Sequence, residues 1–261
     1  MKIGMLAALF AFSALSTAAQ AATRVSFTTG VDYSTGEYGG DDETEVIAVP
    51  FAMRVTTGPW AFGASISYLH VTGPADVADN DGEETDGGGL TARMDTEKGF
   101  GDTTVYVERT FRGVAGESTY LEFGARARLS TGDEDQGLGV GATDYTATAE
   151  FGTSSRDGGA YLSVGHRFLG DREGSDRQDG VQATVGGWLP AGDRTRIGGS
   201  VFWREASFEG NEDPASAGGY ISYRWTDTLR VTWSARAGLS EASPDYSTAL
   251  RFTWRPEMSS R

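Results

Sequence analysis

Arginine is the residue whose placement in this chain could do chemistry. It recurs at Arg54, Arg126, Arg128, Arg167, Arg196, Arg204, Arg224, Arg230, Arg236, Arg251 and Arg255, several of them two residues apart or at other even spacings. A guanidinium is always charged and presents five N–H donors in a planar fork, so a group of them attracts carboxylates, phosphates and other anions. Other chemistries are thinner. The histidines are His70 and His166. A hydrolase needs one within hydrogen-bond reach of a nucleophile, and neither has a serine two residues away. No catalytic residue is assigned, and the chain is expected not to be an enzyme. The run Gly137-Leu138-Gly139-Val140-Gly141-Ala142 imitates a dinucleotide loop, which must follow a strand and open a helix; here a strand follows. No cofactor is expected. The run DVADNDGEETDGGG at 76–89 fails the spacing of a calcium loop: with Gly82 at the turn, Val77 stands at the first ligand and Gly88 at the last. What remains is a loose divalent-cation site among Asp79, Asp81, Glu83 and Glu84, set against a solvated acidic loop. No defined metal ligand set follows.

The elements that would carry the arginines are strands. From Tyr120 to Phe151 the chain reads as a hairpin with two alternating arms. Leu121, Phe123, Ala125, Ala127 and Leu129 oppose Glu122, Gly124, Arg126, Arg128 and Ser130. Tyr145, Ala147, Ala149 and Phe151 oppose Asp144, Thr146, Thr148 and Glu150. Successive side chains in a strand point to opposite faces, so the hairpin has one apolar and one charged face. Each arm is about ten residues, the length of a tilted membrane-spanning strand. The same alternation sets Leu229, Val231, Trp233, Ala235 and Ala237 against Arg230, Thr232, Ser234, Arg236 and Gly238, and Leu250, Phe252 and Trp254 against Arg251, Thr253 and Arg255.

About twelve strands follow from this pattern and the turn residues between them: 24–37, 44–57, 60–72, 99–112, 118–130, 142–154, 160–170, 179–189, 194–208, 215–226, 228–240 and 246–255. Short connections (Gly58-Pro59, 114–117, 156–159, 191–193, 226–227) alternate with long ones (38–43, 73–98, 131–141, 171–178, 209–214, 241–245). That predicts an all-β, antiparallel up-and-down transmembrane barrel with short periplasmic turns and long extracellular loops. Its lipid-facing parity carries Trp60, Phe111, Trp203, Tyr223, Trp225 and Trp254 near strand ends, where interfacial aromatic girdles belong. Pro50 falls inside a predicted strand and predicts a bulge there. Arg109 falls on the lipid parity near a rim, where its stem can snorkel.

Met1 to Ala21 has a basic n-region, an apolar h-region and Ala19-Gln20-Ala21, so it reads as a secretory signal with the barrel over 22–261. The chain has no cysteine and hence no disulfide. The net charge of −15 excludes nucleic acid, which needs a basic groove. More than half of the 37 acidic residues sit in the long loops, beside only four basic ones, Arg93, Lys98, Arg172 and Arg177. The inferred lumen is opposite in sign. Arg126, Arg128, Arg167, Arg204, Arg224, Arg236 and Arg251, with Glu122 and Glu150, are the expected solute pathway, and outer-membrane lipid and small solutes the expected partners.

One stretch resembles a known family. GFGDTTVYVERTF at 99–111, TGDEDQGLGVGATDY at 131–145 and HRFLGD at 166–171 look like the bacterial outer-membrane transporters named for the meta-pathway of phenol degradation. The shared pattern is Gly101-Asp102, then Thr131-Gly132-Asp133, Gly137, Gly139 and Asp144. The resemblance implies a lone outer-membrane barrel passing aromatic or other hydrophobic solutes, and no solute-contacting residue comes with it. Ser130 departs from it, standing where the pattern has proline. Three readings stay open: a passive channel, a non-conducting structural or adhesive barrel whose acidic loops bind cations or a partner, and a soluble periplasmic sandwich. For the first, lumen arginines form an attracting constriction; against it, Arg–Glu pairs knit the lumen shut.

Overall fold

The computed structural model describes residues 23–38, 43–73, 95–171 and 176–257. The signal expectation and the acidic run at 76–89 lie outside them. The strands are β1 (Arg24–Gly36), β2 (Thr44–Thr57), β3 (Trp60–Gly73), β4 (Asp95–Phe100), β5 (Thr103–Arg112), β6 (Thr119–Leu129), β7 (Asp144–Ser154), β8 (Gly159–Phe168), β9 (Gly180–Pro190), β10 (Thr195–Arg204), β11 (Ala215–Arg224), β12 (Leu229–Gly238) and β13 (Tyr246–Trp254). β4 and β5 follow one another along β3 and make a single stave. Each stave pairs antiparallel with its sequence neighbour, and β1 pairs with β13 from Phe27↔Trp254 to Thr35↔Tyr246. The result is a closed barrel of twelve staves with no free edge.

The alternation decides which face is out. Phe51, Phe123, Leu162, Val185, Trp233 and Leu250 are all exposed, and all lie on the outer parity. An unbroken apolar belt of that size would aggregate in water; around a closed barrel it is the surface that hydrocarbon requires. The soluble sandwich is thereby excluded. Aromatic rings mark the rims: Phe27 stacks on Trp254 at 5.8 Å and Tyr223 meets Trp225 edge-on at one end, while Tyr68 meets Phe100 edge-on at the other. Arg109 does lie outside, its guanidinium over Trp60 at 5.0 Å and Phe111 at 4.7 Å, so its charge is sheltered by ring faces at the rim.

Two strand boundaries differ from expectation by more than two residues. The stave predicted at 99–112 begins at Asp95 and is broken at Gly101-Asp102, where Gly101 N–H donates to the Ser67 carbonyl at 2.9 Å. The strand predicted at 194–208 ends at Arg204; just beyond, Ala206 N–H donates to the Asp213 carboxylate at 2.9 Å, turning the chain into a loop. The bulge expected at Pro50 does not form: Pro50 pairs with Ser67 of β3, and the β1–β2 ladder skips from Thr29↔Phe51 to Asp32↔Ala48 with its register unchanged. The missing N–H is accommodated by that gap.

Candidate functional site

The inward parity runs through Arg54 on β2, Glu108 on β5, Glu122, Arg126 and Arg128 on β6, Asp144 and Glu150 on β7, Arg167 on β8, Arg196 and Arg204 on β10, Arg224 on β11, Arg230 and Arg236 on β12, and Arg251 on β13, all linked by register. These residues divide by height into two environments.

The extracellular half is packed. Loop 130–143, which carries a short 3₁₀ turn at Glu134–Gln136, folds into the barrel mouth. Its Leu138 is 1% exposed and clusters with Val46, Leu69 and Val71 from the inner faces of β2 and β3. Gly99 leaves the room: a Cβ there would stand 2.6 Å from a Leu138 methyl. Asp102, fully buried at the stave break, holds the loop. Its Oδ1 accepts from Thr131 N–H at 3.0 Å and Gly132 N–H at 2.9 Å, and its Oδ2 from Val140 N–H at 3.0 Å. Asp144 anchors the next loop. It accepts from Gly170 N–H at 2.8 Å, from both terminal nitrogens of Arg177 at 3.0 and 2.7 Å, and from Arg128. On the other side, Phe202, Arg167 (7% exposed) and Arg204 (3%) are buried, and Arg167 donates to Ser207.

The side chains of the periplasmic half are more exposed. Arg54 pairs with Glu108 at 2.5 Å with side chains 40% and 22% exposed. Arg251 grips Asp32 through two nitrogens, its side chain 34% exposed. Glu122 accepts from Thr110 and Glu150 from Tyr120. Glu108, Glu122, Arg126 and Glu150 line a cavity of about 170 Å³ with Tyr106, Gln182 and neighbouring threonines. Arg224 donates to the Asp193 carbonyl and Arg230 to Ser222, both near the periplasmic end, whereas Arg236 donates to the buried Ser216 near the extracellular ends of β11 and β12. Arg196 lies over Trp188 at 4.3 Å. Among the described residues no carboxylate pairs with Arg196, Arg224, Arg230, Arg236 or Arg255.

The expected pathway residues therefore separate. Arg126, Arg224, Arg251, Glu122 and Glu150 face the more exposed half, whereas Arg128, Arg167 and Arg204 are built into the packed half and Arg236 reaches a buried serine at its edge. Arg128 pairs with Asp144, and Glu108 with Arg54. Asp32 and Arg177 were not anticipated as partners. Asp32 sits among small residues, and Arg177 could be read only as a loop charge. His70 and His166 are outside, the latter edge-on to Phe168.

No family model matches this chain, and no curated protein matches it in sequence. Solved structures match it in fold. The KdgM porin in complex with disordered oligogalacturonate superposes with a TM-score of 0.52 at 8% identity, over 91% of this chain and 99% of that one. The NanC porin gives 0.56 at 8%, over 89% and 100%. The chain is an outer-membrane β-barrel of this porin-like architecture. The translocator domain of the autotransporter NalP from Neisseria meningitidis shares it too, with a TM-score of 0.51 at 13% identity, over 95% and 96%. Porins and a translocator thus stand on one architecture, so function has to be argued from the lumen.

Proposed function

We propose that this barrel is a passive outer-membrane channel for small solutes, anionic or amphiphilic and including aromatic ones, with its arginines as the attracting wall. The observation that carries this is the set Arg196, Arg224, Arg230, Arg236 and Arg255, which lack carboxylate partners among the described residues. Unneutralised charge is tolerable in water and very costly in a dry interior, so a lumen built this way is hydrated. Guanidinium rings are how anion pores select. Aromatic solutes find ring faces on the same wall: Tyr161 and Tyr220 lie against Gly186 and Gly198 of the neighbouring strands. The resemblance to the phenol-pathway transporters points the same way.

The test is reversal potential in planar bilayers across a salt gradient. Wild type is expected to favour chloride over potassium several-fold, and Arg196, Arg230 and Arg236 changed together to serine bring the ratio near about 1, because the focusing charge is gone. A second reading, a non-conducting structural or adhesive barrel, is favoured by the packed extracellular half. A barrel that inserts yet stays silent even after loop 130–143 is shortened establishes that reading instead.

A further inference from the structure

Charge is segregated around the bore. β8 to β13 contain no Asp or Glu at all, and the only charged residues on their inward face are arginines. The inward carboxylates of the described strands lie on β1 to β7. Three of them, Glu108, Glu122 and Glu150, occupy the adjacent staves β5, β6 and β7. Glu122 stands directly across the ladder from Glu150, and Glu150 feels the charge of both others. In a ring of twelve staves, the sixth along is the far wall. By the pairing order β6 faces β12, and β7 faces β13. Glu122 and Glu150 therefore lie on the wall opposite β12 and β13, the strands of Arg230, Arg236 and Arg251, with Arg230 toward the periplasmic end of β12 and Arg236 toward its extracellular end. Tyr161 on β8 lies in the field of both Glu150 and Arg236, so the two signs meet within reach of one side chain.

Resting on the channel reading, we infer that the lumen selects zwitterionic solutes, small amino carboxylates, over plain anions. The ammonium lies toward Glu122 and Glu150 and the carboxylate toward Arg230 and Arg236. A field directed across the bore aligns a dipole and lowers its energy at both ends. A monoanion gains at the arginine wall and is repelled by the glutamates, and a monocation does the reverse. Hydroxyl and amide groups of Ser163, Thr146 and Gln182 around the glutamate cavity add acceptors for ammonium protons.

Three solutes of equal chain length test this: γ-aminobutyrate, butyrate and butylammonium. Binding to the full chain in detergent micelles is followed by saturation-transfer NMR, and uptake by proteoliposome swelling. Wild type is expected to bind γ-aminobutyrate at least about threefold more tightly than butyrate, with butylammonium weakest. The E122Q/E150Q variant, which keeps side-chain shape, brings γ-aminobutyrate and butyrate together; E150Q alone does so in part. R230S/R236S weakens both. Butyrate binding wild type as tightly as γ-aminobutyrate, or an E122Q/E150Q ratio equal to wild type, overturns the inference. Preferential binding without uptake sinks the channel reading and leaves the binding preference standing. Uptake of both solutes at one rate with equal binding does the opposite.

Discussion

Asp102→Ala is expected to open the extracellular mouth. The carboxylate of Asp102 is fully buried and accepts three backbone N–H groups of loop 130–143, those of Thr131, Gly132 and Val140. Alanine leaves three donors without an acceptor in a packed space. Each such orphan costs about 1–3 kcal/mol, so the three together outweigh what Leu138 recovers by staying in its cluster, a gain of about 1.5–3 kcal/mol. The loop is therefore expected to leave the barrel and take its donors to water. Thr131 and Gly132 amide exchange should quicken by about a hundredfold or more, each tenfold corresponding to about 1.4 kcal/mol. Single-channel conductance should rise several-fold over wild type. Asp102→Asn is intermediate, because it keeps one acceptor oxygen and turns an N–H₂ toward another donor. Unchanged exchange and unchanged conductance in Asp102→Ala would show that Leu138 packing alone closes the mouth.

That loop also marks where sequence reading stopped. The staves were legible because hydrocarbon and water impose opposite demands on alternate residues, so parity along Leu229–Gly238 or Tyr120–Leu129 reads directly as out and in. The long–short rhythm of connections gave the up-and-down order for the same local reason. Gly101-Asp102, Thr131-Gly132 and Gly139 were legible as a pattern without a cause. The cause is three-dimensional: a Cβ on Gly139 would stand 2.8 Å from Asp102 Oδ1, so the glycine is there to let the backbone approach the carboxylate. Nothing along the chain says that Leu138 turns inward, since an apolar residue in a Gly-rich loop has no period. The Asp32–Arg251 pair joins residues 219 positions apart and exists only because β1 meets β13. The absence of acid from β8 to β13 is visible in the sequence, but its meaning depends on which staves face each other, and only closure supplies that.

The strictest test of the two-solvent wall uses neighbours at mid-height of β7. Ala149 faces outward, paired with Phe123 on one side and Val164 on the other, both exposed on the outer belt. Thr148 faces inward and lines the cavity with Glu108, Glu122 and Glu150. An arginine at the bilayer midplane of a barrel costs about 2–4 kcal/mol, because no water or counter-charge reaches it. Ala149→Arg should lower stability by that amount in denaturant titrations from lipid vesicles. The same guanidinium one residue earlier meets carboxylates and solvent. Thr148→Arg should therefore stay within about 1 kcal/mol of wild type, the range of a partly exposed ion pair. Both variants place the same guanidinium on the same strand, one residue apart, so the side of the wall is what separates them. Equal losses from the two would mean that the glutamate face is as dry as the lipid face. The arginines opposite it would then have no water to hold their charge, and conduction through this lumen would be ruled out along with the hydration it needs.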